Sequence, residues 1–432
     1  MYRLVDFKTQ KPVEPTDLVF TGREGPWEVL MDLDTVRQRI NLDYFRKSPP
    51  FVSKYLPFMP VKDYSRFVSL GEGATPLIQS GTLGRELGIE LYFKLENQNP
   101  TGSFKDRGSA VEVTLAREMG APGIAVASTG NMAASCSCYA AAAHIPCFVF
   151  APEDTPPSKL AQVISYGGRI VQVKGSYGDA ARLAEESARQ LGFYLAGDYA
   201  FRIEGHKTAA FELIEQLYFR PPHLVVVPMG CGTNLASYYK GFIEYQSLGL
   251  LNRMPRLLGV QSSGAPTIVS AFEQRLADGV RFDRVESIAR AICINHALDA
   301  AKALDALYKT EGSALAVTDR EMLEAQYRLS KDEGLFVETA CAATVASLMR
   351  LHAAGALEPD QRVVCVLTGA GLKDPTPILK IAVKPPTIPP KVEEFRRLYD
   401  SHFFDGKNVA FINRDDVVFS EPPTASTVAE KV

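Results

Sequence analysis

The stretch NPTGSFKDRG, residues 99–108, sets Lys105 between Phe104 and Asp106 directly after a glycine-containing turn. A surface lysine needs no such setting. A lysine that forms a Schiff base does, because its ammonium must sit at a fixed place and be partly desolvated in order to lose its proton. Three further stretches have the form of a short apolar run opening into small residues, the strand-to-helix junction at which open α/β sheets bind ligands. In ASTGNMAAS (127–135), Ser128, Thr129, Gly130 and Asn131 offer backbone amides and a side-chain amide to a carboxylate or phenolate oxygen. In LVVVPMGCGTN (224–234), the backbone amides of Gly230, Cys231, Gly232, Thr233 and Asn234 can converge on a phosphate, the glycines allowing close approach. No lysine follows these glycines and the spacing is not G-x-x-x-x-G-K-[ST], which excludes a nucleotide P-loop. In VVCVLTGAGLKD (363–374), Thr368 ends an apolar run with a hydroxyl able to hydrogen-bond a heteroaromatic nitrogen without bringing a formal charge.

Each stretch alone is also compatible with a solvated lysine, an ordinary cap or a tight turn. Together they supply a Schiff-base lysine, a phosphate cup, an amide for a phenolic oxygen and a neutral partner for a ring nitrogen. That is the inventory pyridoxal phosphate requires.

The elements that must position these residues follow from the apolar rhythm. LYFKLE, GIAVAS, CFVFAP, RIVQVK, LVVVPM, RLLGVQ and VVCVLTG read as buried strands, and GDAARLAEESARQL and DREMLEAQYRLSKDEG as amphipathic helices. The alternation predicts an α/β protein with mostly parallel strands covered on both faces. Residues 1–65 read as an extended, wrapping arm, 66–385 as the catalytic core with a smaller α/β domain at about 108–195, and 386–432 as an extension whose proline-rich end is disordered. A chain of 432 residues, 46% hydrophobic, fills a sizeable core. Its net charge of -3, with both signs interspersed, points away from nucleic acid and membrane surfaces and towards a small polar metabolite. The start has no targeting pattern and no apolar run is long enough to span a bilayer. Seven cysteines in apolar or glycine-rich surroundings suit reduced thiols of a cytoplasmic protein, and the isolated C-x-C of Cys136 and Cys138 predicts no metal.

The stretches LGEGATPL, LENQNPTGSFKDRGS, ASTGNMAAS, RIEGHKTAAFE, VPMGCGTN, EGLFVETACAA and LTGAGLKDP, in this order over 66–380, resemble the fold type II pyridoxal-phosphate enzymes, and within them the threonine synthase family. The resemblance implies a tryptophan synthase β-like fold, two open twisted α/β domains with the cofactor between them, and a homodimer. It implies Lys105 as the Schiff-base lysine, Phe104 as the ring preceding it and Asn131 beside the phenolic oxygen. Gly230, Cys231, Gly232, Thr233 and Asn234 become the phosphate loop and Thr368 the pyridine-nitrogen partner. The implied substrate is a phosphorylated or otherwise activated amino acid, bound by Ser128, Thr129, Gly130, Met132, Lys159 and Arg202, with Arg202 on its phosphate. The implied reaction is γ-elimination and β-addition of water on O-phospho-L-homoserine.

Several positions depart from the family pattern. Met132 stands where a threonine is expected, Ala196 and Gly197 where an Asn-Ser pair is expected, and ETACAA replaces E-P-x-S-A-A. Donors for a substrate phosphate are lost, each charge-assisted bond being worth roughly 1.5 to 3 kcal/mol. This leaves open a β- or γ-replacement on another activated amino acid, of the cysteate synthase kind. A non-catalytic relative is the third alternative, and Lys105 argues against it. The arm resembles a zinc-ribbon-like lead without its cysteines, so no metal is expected there.

Overall fold

The computed structural model describes residues 2–22, 25–380 and 385–401. Its arm begins with an antiparallel pair, β1 (Tyr2–Asp6) and β2 (Trp27–Met31). The arm is more regular than the expected extended path, with two short helices at Leu33–Arg39 and Leu42–Lys47. Its apolar residues Phe20, Val29, Tyr55 and Phe58 join the same core as residues beyond 100. The ring of Phe58 lies 4.7 Å from that of Phe211.

The large sheet has the order β11-β10-β9-β12-β4-β3. Its strands are β3 (Leu77–Gln79), β4 (Glu90–Lys94), β9 (Leu224–Pro228), β10 (Arg256–Ser262), β11 (Ser313–Val317) and β12 (Arg362–Val366). All pair in parallel except β3, an antiparallel edge on β4. Successive side chains of a strand face opposite sides, so Val225 and Val227 enter one core while Leu224 and Val226 enter the other. Both faces are covered, as a parallel sheet requires.

Between β4 and β9 the chain makes a four-stranded parallel sheet of order β7-β6-β5-β8. It comprises β5 (Ile124–Ala127), β6 (Cys147–Pro152), β7 (Arg169–Val173) and β8 (Tyr194–Ala196). The helices that carry the site, numbered here among themselves, are α1 (Lys105–Glu118), α2 (Asn131–Ala142), α3 (Tyr177–Leu191), α4 (Ala200–His206), α5 (Thr233–Ser247) and α6 (Thr339–Ala353). The chain enters the small sheet through α1 and leaves it through α4. These two helices touch at glycines: a Cβ on Gly205 would lie 2.0 Å from the Arg107 carbonyl oxygen, and one on Gly108 would lie 2.6 Å from Arg202 Cγ. The glycines of KDRG and RIEG are therefore packing requirements.

Beyond the core, residues 392–400 form an exposed helix. The expected disorder of the chain end falls outside the described residues.

Candidate active site

Lys105 opens α1, and the turn before it is built by its neighbours. Gly102 takes φ +83°, and Thr101 donates to Asp106 through both its amide and its hydroxyl at 2.7 Å. Ser135 donates to the same carboxylate at 2.6 Å, tying α2 to the turn. The Phe104 amide donates to the Thr368 carbonyl at 3.0 Å, which places the end of β12 beside Lys105. Lys105 Nζ lies 4.8 Å from the centre of the Phe104 ring and is nearly buried, its side chain 14% exposed.

The expected stretches converge on this lysine. Asn131 Nδ2 donates to Glu338 Oε2 at 2.8 Å. A Cβ on Gly369, next to Thr368, would meet both groups, so Asn131, Glu338 and the end of β12 are contiguous. Lys105 pairs with Asp198 at 2.9 Å, and the thiol of Cys231 in the glycine-rich turn after β9 lies within electrostatic reach of the same carboxylate. Gly232 in that turn has φ +88°, and a Cβ there would lie 2.9 Å from Ala303 Cβ and 3.0 Å from the Asp299 carbonyl oxygen. The position therefore requires glycine.

The residues present fit pyridoxal phosphate. At the start of α5, Thr233 Oγ1 and Asn234 Nδ2 are buried with no hydrogen-bond partner, although the two residues are only 2% and 7% exposed. A buried polar group without a partner costs about 1 to 3 kcal/mol, and a phosphate at this helix start would satisfy both. Thr368 is buried, its hydroxyl 3.3 Å from Cys341 Sγ. A neutral hydroxyl there does not favour a protonated ring nitrogen. Thr129 and Gly130 lead into α2, Gly130 is exposed with open space where a Cβ would point, and its amide donates to Ser128 Oγ at 3.2 Å. Met132 is half-buried against the core. Lys159 is partly buried and faces Arg290; burial first, and then that like charge, hold its ammonium below the ordinary lysine range.

Arg202 does not stand where the motif suggested. It is completely buried; Nε donates to the Gly197 carbonyl at 2.8 Å, Nη1 to the Lys105 carbonyl at 3.3 Å, and Nη2 to Cys136 Sγ at 3.3 Å. Its charge is taken up by Glu112 of α1, itself 1% exposed on its side chain. A desolvated guanidinium needs a carboxylate partner, and Glu112 supplies it from within the protein. Arg202 thus holds the backbone of Lys105 instead of reaching a substrate phosphate.

Glu338 and Asp198 were not among the expected site residues. Burial pushes the Glu338 carboxyl up to about 7, against the hydrogen bond from Asn131. A carboxyl raised in the folded state contributes stability below its ordinary value and loses it as pH rises through the folded value. At about pH 8 the ionised Glu338 therefore costs up to about 3 kcal/mol. Glu338→Gln is expected to stabilise the cofactor-free protein at about pH 8 and much less at about pH 5, a difference read from urea unfolding at the two pH values.

Comparison with known proteins agrees with this geometry. Residues 68–369 match the family model described as pyridoxal-phosphate dependent enzyme. The chain belongs to the pyridoxal-phosphate dependent enzymes. Among members of this family, the threonine synthase of Methanocaldococcus jannaschii is 41% identical over 88% of this chain and 94% of its own length. That of Methanosarcina acetivorans is 36% identical over 92% and 98%, and that of Mycobacterium leprae 38% identical over 77% and 91%. Among solved structures, threonine deaminase isoform 2 of Solanum lycopersicum superposes with a TM-score of 0.64 at 21% identity, covering 85% of this chain and 97% of that one. Maize serine racemase superposes with a TM-score of 0.61 at 19% identity, covering 76% and 93%. These two show the fold alone, that of the fold type II pyridoxal-phosphate enzymes. Within the family the chain is a threonine synthase-like lyase that uses pyridoxal phosphate. Among the described residues no helix is long and apolar enough to cross a membrane.

Proposed function

We propose that the enzyme converts O-phospho-L-homoserine and water to L-threonine and phosphate, with Lys105 as the residue that carries the cofactor and moves the protons. The observation that supports this most is the nearly buried Lys105 amine at the meeting point of the two sheets, in a chain 41% identical to a threonine synthase over most of both lengths. Pyridoxal phosphate, when bound, supplies the electron sink that makes the substrate's carbon-bound protons removable. Thr233, Asn234 and the amides of Gly230, Cys231 and Gly232 hold its phosphate, Asn131 its phenolic oxygen and Thr368 its ring nitrogen, while Phe104 flanks Lys105. The amides around Thr129 and Gly130 hold the substrate carboxylate at the start of α2, with Ser128 and Lys159 towards its phosphate and Met132 lining the wall. Because Thr368 brings no charge to the ring, proton transfer rests on Lys105 Nζ.

A second reading, replacement on a different activated amino acid such as O-phosphoserine, is favoured by Arg202 being engaged by Glu112 and by Met132. Incubation of the loaded enzyme with each phosphoamino acid separately, with phosphate assayed and the product identified by mass, decides between them. Threonine from O-phospho-L-homoserine is the expected result. Phosphate from O-phosphoserine alone supports the second reading, and phosphate from neither overturns both. The seven unpaired cysteines support a reducing, cytoplasmic setting. A homodimer is carried by the family resemblance and is tested by light scattering.

A further inference from the structure

Asp198 belongs to none of the motifs that define the site, yet it lies against the atom on which the chemistry turns. It stands in the link between β8 and α4, where Tyr199 folds back so closely that a Cβ on Gly197 would lie 2.4 Å from the tyrosine ring. The Asp198 side chain is 8% exposed and lies 2.9 Å from Lys105 Nζ. Every element around it contributes a titratable or charged group: Lys105 and Glu112 from α1, Arg202 from α4, Cys231 from the glycine-rich turn, Tyr177 from α3, and Tyr199 beside it. His206 of α4, its ring 4.8 Å from that of Phe104, is kept neutral by burial and by the cations near it. Burial opposes ionisation of Asp198, but Lys105 and then Arg202 outweigh it and hold the carboxyl below its ordinary range. Arg202 is in direct contact with Glu112, whereas the ion pair of Asp198 is with Lys105.

We propose that Asp198 is the counter-ion of the Lys105 nitrogen and keeps that nitrogen protonated when it is joined to the cofactor. The inference rests on the reading that Lys105 carries pyridoxal phosphate. Its chemical motive lies at the other end of the ring. Thr368 does not favour a charge on the pyridine nitrogen, so the positive charge that makes the linkage to Lys105 open to attack by an incoming substrate amine has to be held at the nitrogen near Asp198. A buried anion in contact with that nitrogen stabilises the charge more than solvent does.

The test is the pH titration of the visible absorption of the loaded enzyme, which reports protonation of the cofactor-linked nitrogen independently of turnover. Asp198→Asn keeps the shape and removes the charge. It is expected to move the midpoint down by about 1 to 3 pH units, the range an adjacent opposite charge produces. Asp198→Glu, which retains the charge, is expected to restore most of that shift, and it is the variant read against wild type if Asp198→Asn does not fold. Midpoints that agree in wild type and Asp198→Asn overturn the proposal, as does a midpoint in Asp198→Glu lowered by more than about 1 unit. Borohydride reduction and peptide mass analysis separate the two claims. No pyridoxyl adduct on wild-type Lys105 overturns the assignment of Lys105 and this proposal with it, whereas an adduct with an unshifted midpoint overturns the role of Asp198 alone.

Discussion

Lys105→Ala is expected to lose covalent attachment of pyridoxal phosphate and to lower turnover by about 10⁴-fold or more, since one group provides both the linkage and the proton transfer. Lys373 is not free to substitute: it is held by the Thr101 carbonyl at 2.8 Å and by Gln162 at 2.5 Å. The cup should remain, because Thr233 and Asn234 belong to α5 and the large sheet. Non-covalent binding of the cofactor should therefore survive at reduced affinity. Borohydride reduction followed by peptide mapping, beside equilibrium dialysis and a phosphate-release assay, checks all three expectations. Turnover within about tenfold of wild type would exclude Lys105 as the proton carrier.

Arg107→Met is expected to cost about 3 to 5 kcal/mol of stability, because it strips a partner from two buried carboxylates. Arg107 is completely buried, two residues beyond Lys105. It grips Glu96 with two parallel bonds of 2.7 Å, and its Nη2 also lies 3.1 Å from Glu212. Lys94 contacts Glu212 from β4, so one cation is left for two carboxylates after the substitution. Burial works against the ionised Glu96, but Arg107 wins and holds its carboxyl at about 2. Such a depressed value contributes stability above the ordinary carboxylate range and loses it as pH falls through the folded value. The deficit of Arg107→Met is therefore expected to be larger at about pH 8 than at about pH 4, where Glu96 of the variant takes up a proton. Urea unfolding of both proteins across this range measures it; a deficit independent of pH would mean that packing, and not charge, is what Arg107 provides.

The junction stretches were legible in the sequence because their requirements are local: glycine where the chain turns sharply, and small polar residues where a helix begins beside a ligand. The seven apolar runs all became strands for a similar reason, a fully buried parallel strand being a continuous apolar stretch. Of the sheet strands that escaped, β11 (SALAV) is an edge strand opened by a serine, and β3 and β8 have only three residues each. Such lengths carry too little period-two signal to separate a strand from a loop. The arm strands β1 and β2 are interrupted by charged residues, which masked their pairing. Arg202 was misjudged because its environment is not local: Glu112 reaches it from another helix, and only the crossing of α1 and α4 brings them together. Asp198 gave no distinguishing signal, since GDYA reads as an ordinary turn, and Glu338, although it opens the ETACAA stretch, reads there as a solvent-facing residue before a helix. Their importance comes from burial, which the surrounding sequence does not announce.

The glycine contact between α1 and α4 also bears on how the molecule opens. Gly108 and Gly205 let the entry and exit helices of the small sheet press backbone against side chain, so neither can loosen without disturbing the other. Amide hydrogens of the two helices should therefore exchange with solvent as one cooperative unit, at rates set by a shared opening event. Since that unit begins at Lys105 and contains Arg202, the reactive nitrogen is expected to open only together with both helices, and the mobility that admits substrate to come from elsewhere around the site.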